Sequence, residues 1–235
     1  MNVWLKFTVG LTALAALAAI PRGAAAADVT HPTVVELFQS QGCSSCPPAA
    51  ANLAAISDRQ DVIALSFAVD YWDRLGWKDT FSSPKWTARQ YAYAKAMGRE
   101  GVYTPQIVVN GRVAGDGIEP AGLAELVRKG DRGAAGPSLS FGKDAVTVRQ
   151  GAAPRGSAEV WLAMYDPRTI DVAVRRGENA GRTLPHKDIV REMTLLGRWT
   201  GQAQSFALPA AGEGLAEAVI VQTSGAGPIL AAARR

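Results

Sequence analysis

The chain has 235 residues, with 25 Lys and Arg against 21 Asp and Glu, and two cysteines. That charge balance is too even to argue for nucleic acid, and no basic block with interleaved aromatics and no Gly-rich phosphate loop is present. Two cysteines are too few to staple a scaffold, so the fold must rest on an apolar core, and the length suits one or two domains.

Residues 1–27 read as a secretory signal segment. Lys6 supplies a positive start, residues 7–20 are apolar and uncharged, and Ala24 to Ala27 offers Ala-x-Ala cleavage choices. The apolar run is shorter than the ~20 residues of a membrane span. The expected mature protein is periplasmic or secreted, with no stable membrane insertion after cleavage.

The first half alternates. Residues 33–38 form a continuous apolar strand, and 48–57 an Ala-rich helix with Leu53 and Ile56 inward. Residues 62–69 form a second buried strand, as in a parallel sheet covered on both faces. After the polar-aromatic loop 70–77, Ser83 caps a helix with Pro84 at its first position. Trp86, Gln90, Tyr93 and Met97 share one face of that helix, and Gly98 suits its end. Residues 106–110 and 112–114 make a hairpin about Asn110-Gly111, and 120–130 a last helix. The predicted order is β-α-β-α-β-β-α over a domain spanning 28–132.

Gly130 to Pro137 marks a boundary by composition. Beyond it, short strands are predicted at 138–141, 145–150, 158–165, 171–175, 188–196, 205–208, 216–222 and 229–233, with a helix as the alternative for 188–196. Evenly spaced strands between turn residues imply a β-rich domain over 137–235, a sandwich by pattern.

The two cysteines stand as Cys43-Ser44-Ser45-Cys46, followed by Pro47-Pro48, between the first strand and the first helix. A Cys-x-x-Cys at such a junction is a redox signal; by spacing alone it is equally a structural disulfide or half of a metal site. His31 and His186 are too scattered to complete a zinc site, whereas copper(I) held by the two thiolates alone remains a rival. A static disulfide in a non-enzymatic binding module is another.

These residues resemble a known group. The element order is similar to the minimal thioredoxin fold. Thr104-Pro105-Gln106 stands before the third strand, where that fold carries a cis-proline. With Val34 to Phe38, Asp70-Tyr71-Trp72-Asp73, Arg176-Gly177-Glu178-Asn179 and Gly181-Arg182, the chain resembles an exported thioredoxin-like family catalogued as a domain of unknown function, family 1223. The resemblance implies thiol–disulfide exchange with protein thiols or disulfides of exported proteins, with no cofactor beyond a redox-active Cys43–Cys46 disulfide. Cys43 would be the solvent-facing nucleophile, Cys46 the more buried resolving thiol and Pro105 the cis-proline.

Two departures accompany it. Residues before proline avoid the α region, so Cys46 and Pro47 are expected on the turn leading into the helix. Thioredoxin carries a buried acid six residues before its first Cys. Glu36 lies seven before Cys43 and matches only if the loop is one residue longer; otherwise it is a strand-end carboxylate touching water. Tyr71, Trp72 and Trp77 are core residues or a substrate platform, and Asp166 and Asp188 flank turns and strands.

Overall fold

The computed structural model describes residue 1 and residues 26–235 except 153 and 155. Apart from residues 1, 26 and 27, the expected signal segment lies outside the described residues. Among the described residues no helix is long and apolar enough to cross a membrane.

The fold is mixed α/β. Its first half comprises β1 (Thr33–Gln39), α1 (Cys46–Ser57), β2 (Val62–Ala68), α2 (Pro84–Ala96), β3 (Gln106–Val109), β4 (Val113–Gly115) and α3 (Pro120–Gly130). This is the predicted β-α-β-α-β-β-α order. β1 runs parallel to β2 over seven register pairs and antiparallel to β3. All seven residues of both β1 and β2 are buried, because helices cover both faces. Val35 and Leu37 pack with Leu53 of α1 and Leu123 of α3. Val34 and Phe38, pointing the other way, pack with Trp86 and Tyr93 of α2.

Local signals act as the sequence implies. Ser83 caps α2, its hydroxyl accepting from the Lys85 N–H at 3.2 Å. Asn110 and Gly111 both take positive φ, 48° and 62°, as a two-residue hairpin needs. A Cβ at Gly111 would stand 2.5 Å from the Gly227 carbonyl oxygen, so the turn also docks against the second half.

The second half holds β5 (Leu139–Phe141), β6 (Ala145–Val148), β7 (Ala158–Asp166), β8 (Ile170–Ala173), β9 (Thr183–His186), β10 (Ile189–Trp199), β11 (Gln204–Ala207), β12 (Ala216–Thr223) and β13 (Ile229–Arg234). Residues 188–196 are thus strand rather than helix. The sequence did not suggest β9, whose Pro185 discourages a strand reading.

Composition changes at 130–137, but the sheet does not stop there. Its order is β13-β12-β7-β10-β2-β1-β3-β4, eight strands drawn from both halves. The joint is a single parallel register pair, Ile189 with Ser66, and the Ser66 N–H donates to the Asp188 carbonyl at 2.8 Å. A second layer, β11-β6-β5, covers the added strands. Val146, Val148 and Phe206 pack there against Val160, Leu162, Trp199 and Val219. The two-layered β region therefore borrows one of its layers from the common sheet.

Glu36 does not touch water. It is fully buried, paired with Arg89 at 2.7 Å and bonded to the Tyr93 hydroxyl. Arg89 also donates to Tyr93 and to Gln222 of β12. Burial opposes the charge on Arg89, but the adjacent Glu36 holds its pKa well above the ordinary value. Removing one member of a buried pair strands the other charge. Arg89→Met is expected to lower the free energy of unfolding in urea by about 3–5 kcal/mol; replacing Glu36 and Arg89 together by apolar residues should cost much less. Equal losses in the single and double variants would show that the pair is not the stabilising unit.

Candidate functional site

β1 ends at Gln39, and the chain turns through Ser40-Gln41-Gly42 to reach the cysteines. Cys43 and Cys46 form a disulfide, with Cα atoms 5.5 Å apart. Contrary to the expected turn, α1 starts at Cys46 itself, with Ser45 as its cap residue and Pro47 and Pro48 in its first turn. The first N–H groups of a helix have no intrahelical partner, so proline removes nothing the helix needs there. The cost falls elsewhere: two backbone donors are missing where a thiolate would otherwise meet them.

Several polar contacts hold the Cys loop. The Gln41 N–H donates to Asp79 Oδ2 at 2.7 Å, and Trp77 Nε1 donates to the Gln41 side-chain carbonyl at 2.9 Å. Burial pushes the Asp79 carboxyl up to about 6, against hydrogen bonds from Gln41 and Phe81 that favour its charge. Pro105 lies at the same end of the sheet, since Phe38 of β1 pairs with Gln106 of β3. The Thr104–Pro105 bond is cis. Trp72 lies between the two segments: its Nε1 donates to Thr104 Oγ1 at 2.8 Å, and its Cβ is 3.4 Å from where a Gly42 Cβ would stand. Trp72 and Trp77 thus serve as supports of the loop.

The structure brings Cys43, Cys46 and Pro105 to one sheet end, but not Glu36. α1 packs on the β1 face bearing Val35 and Leu37, whereas Glu36 points to the opposite face and is taken up by Arg89 and Tyr93. An odd number of residues along a strand changes the face.

Cys43 also departs from expectation. It is 0% exposed and Cys46 is 1% exposed, while Ser44 and Ser45 between them face solvent. The loop is also bonded from some 135 residues away. Residues 174–182, between β8 and β9, form a strap over the Cys loop. Asn179 is fully buried, and its Nδ2 donates to the carbonyls of Gln41 and Cys43, each at 2.9 Å. Arg182 Nη1 fixes that amide by donating to Asn179 Oδ1 at 2.6 Å. The Ser44 N–H donates to Glu178 Oε2 at 3.0 Å, and the Ser44 side chain and this N–H together lower the Glu178 pKa. The strap is otherwise exposed from Arg175 to Glu178, so Asn179 is its pin.

Beside α1, His186 of β9 shares a small cavity with Cys46. Burial drives its pKa from 6.5 down to about 4, against a weak opposing pull from Asp171. A larger cavity of about 450 Å³ lies on the α2 face, bounded by Trp86, Arg89, Trp161 and Met193. Among the described residues no group of three or more His, Cys, Asp or Glu is placed to hold a metal ion.

The protein family described as "Protein of unknown function (DUF1223)" matches residues 34–222, which include the Cys loop, the strap and the joint between the halves. The chain belongs to this family. An X-ray structure of a protein from Agrobacterium tumefaciens is similar to this DUF1223 chain at 35% identity and a TM-score of 0.72. The similarity covers 86% of this chain and 92% of that one. HBP35 of Porphyromonas gingivalis is similar at 14% identity and a TM-score of 0.60, over 88% of this chain and 75% of that one; this likeness is of fold alone. No curated protein matches the chain.

The strap generates a direct expectation for this DUF1223 protein. Asn179→Ala removes a buried donor from two carbonyls of the Cys loop, at a cost of about 1–2 kcal/mol. Dithiothreitol should then reduce the Cys43–Cys46 bond several-fold faster than in the unaltered protein, followed by thiol alkylation and mass. An unchanged rate at lowered stability would mean that the strap does not shield the disulfide.

Proposed function

We propose that the chain is an exported thiol–disulfide oxidoreductase with a thioredoxin-like core, acting on protein thiols through Cys43 and Cys46. The observation that carries this reading is the disulfide's position, between the end of β1 and the first residue of α1, at the sheet end where Pro105 stands. The β-α-β-α-β-β-α order around it supports the core assignment. Export rests on the charged, apolar and Ala-x-Ala pattern of residues 1–27.

The chemistry follows from the arrangement. A substrate thiolate attacks Cys43 Sγ, the Cys43–Cys46 bond breaks, and its electron pair leaves on Cys46 Sγ. A second substrate thiolate then attacks the substrate sulfur of the mixed disulfide and releases Cys43 as thiolate. The substrate pair is oxidised to a disulfide, and the two cysteines are left reduced. Run backwards, the same steps reduce a substrate disulfide. Because Cys43 Sγ is covered, the substrate must displace the strap residues Glu178 and Asn179, whose bonds run to Ser44, Gln41 and Cys43.

Roles are separated by single replacements. Cys46→Ser leaves Cys43 free to attack but removes the thiol that releases the adduct, so this variant should trap mixed disulfides with exported proteins. They would appear on non-reducing gels and vanish with reductant. Cys43→Ser should trap far fewer. A copper(I) carrier would instead lose metal retention alike in both variants and trap nothing. Absence of adducts from both variants, in exported and folded protein, would end the oxidoreductase reading.

A further inference from the structure

The two prolines after Cys46 leave a chemical problem that the second half answers. When Cys43 is attacked, the negative charge departs on Cys46 Sγ, and Cys46 is 1% exposed. A buried thiolate needs donors or positive charge nearby. At the start of a helix these would be backbone N–H groups, yet Pro47 and Pro48 have none. The Cys46 N–H is already given to the Cys43 carbonyl at 3.2 Å.

A cavity of about 20 Å³ adjoins this point, walled by Cys46, Pro47, Gln39, Ser40, Leu184 and His186. It has room for about one water molecule. His186 is 5% exposed, and its Nε2 has no hydrogen-bond partner among the described residues. The Gln39 amide nitrogen, held by Ser66 Oγ at 2.7 Å, lies 3.5 Å from His186 Nδ1. An amide nitrogen only donates, so with the amide placed this way Nδ1 accepts and the neutral ring carries its proton on Nε2. The ring edge is set by Phe81, whose centroid is 5.6 Å away.

We infer that His186, through its Nε2–H and directly or across one water, is the hydrogen-bond donor that stabilises the Cys46 thiolate. The residue comes from β9, so the second half supplies a working part of the Cys site as well as its cover. The ring's neutrality suits this role: a neutral imidazole keeps one N–H and adds no buried charge. Charged groups around it are Asp171 on β8, Lys187 and Asp188 in the turn to β10, and Arg191, whose guanidinium carbon lies over the Phe81 ring, 4.6 Å from its centroid. Lys187 is drawn away to Asp58 at 2.7 Å.

The inference rests on the exchange reading above, and its test is independent of trapping. In a Cys43→Ser background, Cys46 is the only thiol, and its ionisation is followed by thiolate ultraviolet absorbance against pH. His186→Phe removes the donor and should raise the Cys46 pKa by about one unit, so that the thiolate fraction at a fixed pH falls about tenfold. His186→Gln keeps an N–H close to the Nε2 position and should titrate near the parent. If the phenyl ring does not fit, as shown by thermal unfolding, His186→Met makes the same comparison with a slimmer side chain. Equal Cys46 pKa values in the parent and the apolar variants would overturn the assignment. A raised pKa without mixed-disulfide trapping by Cys46→Ser would leave the donor role standing and remove the exchange reading; trapping with an unchanged pKa would do the reverse.

Discussion

The structure depends on one short seam. The Ser66 N–H donates to the Asp188 carbonyl, and Ile189 pairs with Ser66, so β10 joins the edge of β2 in parallel. β9 ends at His186, three residues before β10 begins. The seam therefore sets the β8–β9 hairpin at the end of the sheet where β1 releases the Cys loop. The Asn179 strap and the His186 cavity both follow from that register. A slip of one residue would turn the neighbouring side chains to the other face.

The site is consequently divided between two distant stretches of chain. The first half contributes the disulfide, the helix start and Pro105. The second contributes a cover held by Asn179 and a neutral imidazole beside Cys46. Glu36, the acid nearest in sequence to the expected position, serves the opposite face by pairing with Arg89 and Tyr93. A buried carboxylate and a buried imidazole thus have separate tasks, fixed by which face of the sheet each meets.

Much of the first half was legible because its signals are local. Continuous apolar runs marked β1 and β2, Ser83-Pro84 marked the start of α2, and Asn110-Gly111 marked the hairpin. The cysteine pair was legible as a motif, but its fully buried setting was not, since the loop's carbonyls are bonded by Asn179, about 135 positions later. Glu36 and Arg89 meet across 53 residues; no periodicity encodes such a meeting. β9 was obscured by Pro185, which the short two-stranded β8–β9 sheet tolerates. The conformational restriction on residues before proline argues for a later onset of α1, but a first helical turn tolerates proline, and the helix starts at Cys46.

A working redox pair and a static cross-link differ most directly in reduction potential. Structural disulfides of secreted proteins resist reduction below roughly −300 mV. A redox titration of the full chain, read by alkylation of Cys43 and Cys46, should place the pair above that value, interconverting with a glutathione or dithiothreitol buffer while the fold stays intact. A pair that remains oxidised to potentials below roughly −300 mV, or that is reduced only as the protein unfolds, would contradict the account.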